Sequence, residues 1–431
     1  MRAFPDVVGL KGEDGEPIGS GSGLPVQFSD SVNVDAFQRL RVGLPQLRLS
    51  CLFDYGKRPI FWAEKTAGTG AGTHLPNERS VALTVSASGD SVIRQTKEYF
   101  TYRAGQSHLT LQTFCMGSDA NVTQKVGYFD AEDGFFLMRR GTDAFIVKRS
   151  FTTGAAVDTE IAQADWNLDV FDGDGPSGIV LDLDTTHIFG MDLQWLGVGR
   201  VRIGFDIDGQ FLPAHQFLHA NHLTEVYIRT PKLPIRYEIE ATGTPSAATT
   251  LKQICATVMR EGGDEDPSVQ HEARSLPQVA GNTTVGANWT TVLGVRCAAS
   301  TVRATLRLLN SSLWNLDTNM VEFAVVLNPA YTGTPTWAAA DDDSVAEVSR
   351  FTAAITVDAN GDPTPGHVYP VGGYVSGNSN QNKAAPVTSR LGETVPIAAD
   401  VDGVPDECWL VARAYDASAQ VKGLLAWVEE R

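Results

Sequence analysis

The sequence predicts an all-β chain: an N-terminal extended arm followed by two antiparallel β-sandwich domains of jelly-roll type. Three observations lead there. Apolar residues recur at alternate positions in many short segments, the pattern of strands with one buried face. Glycine (41 residues) and proline (21) are abundant, as many turns between short strands require. No long segment is dominated by helix formers. The chain of 431 residues also exceeds what a single core fills, about 250–300 residues, so two or three domains are expected.

Residues 1–43 read as the arm. Gly9, Gly12, Gly15, Gly19, Gly21 and Gly23 stand at short intervals, with Pro17 and Pro25 among them. Such a segment buries too little apolar surface to offset its own ordering entropy, so it needs a neighbouring surface to order against. Residues 32–42 begin to alternate and lead into the first sheet.

Residues 44–262 read as the first sandwich. Val81, Leu83 and Val85 alternate with Ala82 and Thr84. Phe189, Met191, Leu193 and Trp195 alternate with small or polar residues. After Gly197-Val198-Gly199 the pattern resumes as Val201, Ile203, Phe205 and Ile207. Asp208-Gly209 then signals a hairpin into a third strand. Residues 226–228, 237–239 and 254–258 supply further strands. Residues 263–282 are acidic, aperiodic and hold glycine and proline, and read as a linker. Residues 283–431 form the second sandwich. Val302, Ala304, Leu306 and Leu308 alternate with Arg303, Thr305 and Arg307, residues 323–327, 353–357, 409–414 and 424–428 are later strands, and Asn360-Gly361 marks a hairpin.

The formal charge of −17 argues against a nucleic-acid or anionic-membrane partner, since both require basic patches. No apolar run is long enough to span a bilayer, and the first residues lack the basic and apolar regions of a signal peptide. Cys51, Cys115, Cys255, Cys297 and Cys408 are odd in number and far apart, which fits buried free thiols better than a disulfide framework.

Catalytic signatures such as G-x-S-x-G, H-E-x-x-H or a P-loop are absent from the sequence, so no catalytic, cofactor or metal residue is assigned and the chain is expected not to be an enzyme. Three weaker patterns remain. His215, His219 and His222 stand close together, and two imidazoles on one strand face can ligate zinc when a third donor joins them. Residues 169–178 (DVFDGDGPSG) and 358–362 (DANGD) offer the carboxylates calcium needs but lack the closing glutamate; turn chemistry explains them as well, and Asp341-Asp342-Asp343 reads as a solvated turn. Trp62, Tyr99, Tyr102, Trp166, Trp289 and Trp337 could form a sugar-stacking platform if exposed, or belong to the core.

Several stretches resemble a family of virion structural proteins of tailed bacteriophages: DAFQRLRV (35–42), KVGYFDAEDGFF (125–136), LQWLGVGRVRIGFDIDGQF (193–211), YIRTPKLPIRYEIE (227–240) and LKQICATVMREGG (251–263). The second sandwich resembles a β-domain that often follows, through VVLNPAY (325–331), GGYVSG (372–377) and LVARAYDASAQVKGLLAWVEE (410–430). Residues 194–209 are also similar to laminin-G or concanavalin-like jelly rolls. The resemblance implies a component of the virion, assembled in the host cytoplasm, in the tail, neck or fibre. A capsid decoration protein, or a carbohydrate-binding module or depolymerase on the particle, is the alternative. The partners it implies are copies of itself, with a trimer as the expected count, other virion proteins and host surface polysaccharide. It carries no active site with it.

Overall fold

The computed structural model describes residues 35, 45–261, 278–279, 282–359, 361–364, 367–375, 384–388 and 396–430. The expected arm, residues 1–43, lies outside these residues apart from the buried Asp35. Within them the only helix is a single 3-10 turn, Gln163–Asp165, and the strands build four antiparallel sheets.

Two sheets face each other between residues 46 and 261. The larger runs, in spatial order, Gln210–Phe217, Val201–Ile207, Thr186–Leu193, Ser107–Met116, Thr249–Glu261, Ser80–Val85 and Ala71–Leu75, with Gln46–Leu52 also paired to Thr249–Glu261. Its partner runs Val157–Ala162, Asp143–Ser150, Gly134–Arg140, Val122–Phe129, Ile235–Ala241, Ser91–Thr96 and Trp62–Ala67. One core fills the space between them. The period-two pattern selects its members: Phe189, Met191, Leu193, Val201, Ile203 and Phe205 are all buried in it. Trp195 is only half-buried, because its strand ends at Leu193 and the chain turns there. The hairpin at Asp208-Gly209 forms as expected, with both residues at positive φ (54° and 77°). Residues 226–228 are not a strand. Tyr227 and Ile228 are buried as expected of apolar residues, but they lie in a bend whose Tyr227 amide donates to the Gly197 carbonyl.

Arg94 is one of several buried cations among the described residues. Arg94 is 1% exposed, yet its guanidinium is well provided: Nε donates to Gln253 Oε1 (2.7 Å), Nη1 to Glu64 Oε2 (2.6 Å) and Nη2 to the Lys57 carbonyl (2.7 Å). A buried charge survives only with partners of this kind.

The second pair of sheets spans residues 278–430. One contains Gln278–Val279, Ala419–Glu430, Thr305–Asn315 and Ala384–Thr388, with Thr283–Val285 also on Ala419–Glu430; the first of these strands lies inside the segment read as a linker. The other runs Ala338–Ala339, Ala346–Ser349, Thr290–Cys297, Cys408–Ala414, Val321–Leu327 and His367–Val375. Leu306, Leu308, Phe323, Leu410 and Trp427 belong to the core between them. Residues 353–357, expected to be a strand, make only isolated bridges, as part of a strap across the outer face of the second sheet. Beneath that strap, Trp289, Ile355, Trp409 and Val411 form a small core of their own, with Tyr331, Trp337 and Phe351 packed on it.

Candidate functional site

The aromatic side chains picked from the sequence do not form a platform. Trp62, Tyr99, Tyr102, Trp166 and Trp289 are buried, and Trp337 is half-buried under Arg296 and against Trp409. Three of the indole N–H groups are spent inside: Trp62 Nε1 meets Cys51 Sγ at 3.0 Å, Trp166 Nε1 donates to the Ile161 carbonyl, and Trp289 Nε1 donates to the Gly361 carbonyl.

The histidines follow packing, not ligation. His215 lies edge-on to Phe217 (4.7 Å), and beyond the strand end His219 stacks between Phe217 (6.1 Å) and Tyr227 (3.8 Å). His219 Nδ1 sits 2.8 Å from the Gly199 carbonyl, which can only accept, so Nδ1 carries the proton. Burial pushes both rings down to about 4, so they are neutral near neutral pH, while His222 is exposed in the following turn. Among the described residues no three His, Cys, Asp or Glu side chains gather as a metal site.

In the 169–178 loop the carboxylate of Asp169 accepts the amides of Phe171 (2.9 Å) and Ser177 (2.8 Å), so it organises the turn. Asp358 does the same for Asp362 in the later loop, and Asp341 for Asp343. The five cysteines are free thiols: Cys51, Cys297 and Cys408 are buried, and burial pushes Cys297 up to about 12.

What the sequence did not flag is a charged seam between the sandwiches. Arg48 and Glu98 come from the first sandwich, Arg307 and Glu430 from the second. Arg48 Nη2 reaches Glu430 Oε2 at 2.9 Å and Glu98 Oε1 at 3.3 Å. Arg307 Nη2 donates to Glu98 Oε1 at 2.6 Å, and its Nε to Glu430 Oε1 at 2.9 Å. All four side chains are less than a fifth exposed. Burial alone would raise the Glu430 carboxyl, but Arg307 and Arg48 outweigh it and hold it at about 2.

The seam continues on both sides. Lys97 Nζ pairs with Asp406 Oδ1 at 2.7 Å, and the same oxygen accepts from Asn328 Nδ2 at 2.7 Å. Lys232 Nζ donates to the Glu430 carbonyl at 2.7 Å, and Lys65 pairs with Asp402. At the far end Arg303 bridges Asp130 (2.6 Å) and Glu132 (2.9 Å). Each sandwich offers both signs, so the fit depends on register rather than on net charge. The individual charges are ordinary in the sequence. Only the pairing of residues as distant as 98 and 307 reveals them as a set.

No family model matches the chain, and no curated protein matches it. Solved structures give low-scoring likenesses to about half of it. A protein of unknown function from Shewanella oneidensis is 11% identical, covering 53% of this chain and 93% of that one, with a TM-score of 0.32. Bacillus licheniformis β-glucanase is 8% identical over 52% of this chain and 100% of that one, with a TM-score of 0.33. A legume lectin-like domain from Entamoeba histolytica is 10% identical over 50% and 97%, with a TM-score of 0.29. Scores this low assign neither an activity nor a ligand.

Proposed function

We propose that this chain is a structural subunit of a tailed-bacteriophage particle, in the tail, neck or fibre, and that it acts by contact rather than catalysis. The observation that carries this reading is the seam. Breaking one member of a buried, paired charge set leaves the others uncompensated, so the two sandwiches resist turning or separating and behave as one stiff body. A subunit that transmits position through an assembly needs that stiffness. The resemblance of residues 125–136, 193–211 and 410–430 to virion proteins supplies the setting.

In this reading the chain assembles with copies of itself, most simply as a trimer, through the arm and exposed strand edges. Gln46–Leu52 is such an edge: it follows the arm directly, and its Leu47 and Leu52 are exposed. The test is imaging of phage particles carrying a labelled copy of this chain, with the mass of the purified protein measured in solution. Label on the tail, neck or fibre and a closed oligomer are expected. Label on the capsid surface would favour a decoration protein. An unlabelled particle, or a strict monomer at high concentration, would overturn the reading.

A further inference from the structure

We propose that the open end of the outer face of the second sandwich, built by Tyr374, Glu322, Arg413 and Tyr415, binds a neutral saccharide. The inference does not rest on the particle reading.

The strand register puts these side chains in one row. Glu322 stands opposite Tyr374 on one neighbouring strand and opposite Arg413 on the other. Phe323, Val375, Ala412 and Ala414, their neighbours in sequence, all point into the core, so by strand alternation the row points outward. Tyr331 and the strap around Phe351 and Ile355 cover the adjoining part of this face over Trp409 and Val411. Tyr374 is 60% exposed and Tyr415 47%.

The row is held in place before any ligand arrives. Arg413 Nε donates to Glu322 Oε2 at 2.8 Å, and the Tyr415 hydroxyl donates to the same oxygen at 3.3 Å. The guanidinium lies over the Trp289 ring at 4.7 Å and is 5.8 Å from that of Tyr415. Trp289 is itself pinned by its bond to the Gly361 carbonyl. The hydrogen bond to Tyr415 and the Glu322 carboxylate push the Tyr374 phenol up to about 12, so it remains a neutral hydroxyl. Little ordering entropy is left to lose on binding.

The chemistry fits a sugar. The Tyr374 and Tyr415 rings lie 6.0 Å apart and tilted by 49°, offering two faces to the C–H surfaces of successive sugar rings. The Arg413 and Tyr415 bonds both end on Glu322 Oε2, and Arg413, with five N–H donors, has more than this row uses. Carboxylate and guanidinium cancel in charge, so the row complements an uncharged polyol, and the formal charge of −17 on the whole chain disfavours a polyanionic one. Aromatic faces beside fixed polar groups are the usual make-up of such sites.

The experiment titrates the full chain with maltohexaose, laminarihexaose and mannohexaose by calorimetry, with dextran sulfate as the anionic probe. At least one neutral hexaose is expected to bind saturably at or below ~10 mM. Tyr374→Ala and Tyr415→Ala are each expected to weaken it by about tenfold or more, whereas Tyr374→Phe keeps most of the affinity. Thermal unfolding should be unchanged in all three, because the side chains are exposed. The proposal is overturned if no neutral hexaose binds, if dextran sulfate binds more tightly than all of them, or if the alanine variants bind as well as the parent. It is also overturned if the variants lower the mass of the protein in solution, since the row is then a contact between subunits.

Discussion

Arg307 of the second sandwich donates from Nη2 to Oε1 of Glu98 in the first, at 2.6 Å, and both side chains are nearly shielded from water, 14% and 11% exposed. The contact joins residues more than two hundred positions apart and shares its carboxylates with Arg48. Arg307→Met leaves Glu98 and Glu430 with one arginine between them. A loss of about 3–5 kcal/mol is expected, read by urea denaturation, together with faster proteolysis between the sandwiches. Pairing it with Glu98→Gln in a double-mutant cycle should show clear coupling. Additive losses would mean that the seam is not one unit. The exposed pair Arg140–Glu160 is the control, and Arg140→Ala should cost no more than about 1 kcal/mol.

Phe205 is fully buried, in edge or tilted contact with Phe171, His187 and Phe189 at 5.6–5.7 Å. Phe205→Ala is expected to cost about 3–5 kcal/mol through lost burial and the cavity left behind. Equilibrium denaturation measures it. A loss below about 1 kcal/mol would show that the meander does not carry the core.

Acid should unfold the chain in two stages. Burial pushes His108 down to about 3 and His215 and His219 to about 4, against 6.5 in the ordinary state. Between those values the unfolded chain binds more protons than the folded one. The imidazole contribution is therefore complete above pH 6.5 and is lost as pH falls toward 4 and then 3. Glu238 and Glu430 act in a lower window. Burial would raise them, but Arg236 with Lys125, and Arg307 with Arg48, hold them at about 2 against 4.5. Their contribution is complete above 4.5 and fades toward 2. Unfolding free energy measured across pH should be level near neutrality, decline below 6.5 and steepen below 4.5. His215→Phe should flatten the first stage, and a parent profile already flat between 6.5 and 4.5 would refute the assignment.

Gly199 has no room for a side chain: a Cβ there would lie 2.0 Å from the Gln194 carbonyl oxygen. Gly199→Ala must move backbone, and the Gly199 carbonyl is the acceptor for His219 Nδ1. A loss of more than ~1 kcal/mol is expected, with the His219 ring resonances shifting in the NMR spectrum. An unshifted His219 would show that the turn does not position the ring.

The sequence by itself determined the fold class, because a side-chain period of two can bury one face only in a sheet. Phe189, Met191, Leu193, Val201, Ile203 and Phe205 were legible from alternation, and Asp208-Gly209 from the positive φ it tolerates. What the sequence could not show depends on distance across the chain. Whether Trp62 or Trp289 stacks on a ligand or sits inside is decided by what packs over it, and both are buried. Tyr374 and Tyr415, which no local pattern sets apart, are exposed. No local pattern in the sequence sets Arg48, Glu98, Arg307 and Glu430 apart. Only tertiary structure made them an interface, because an ion pair has no period and no local signature: its strength comes from the burial that folding creates.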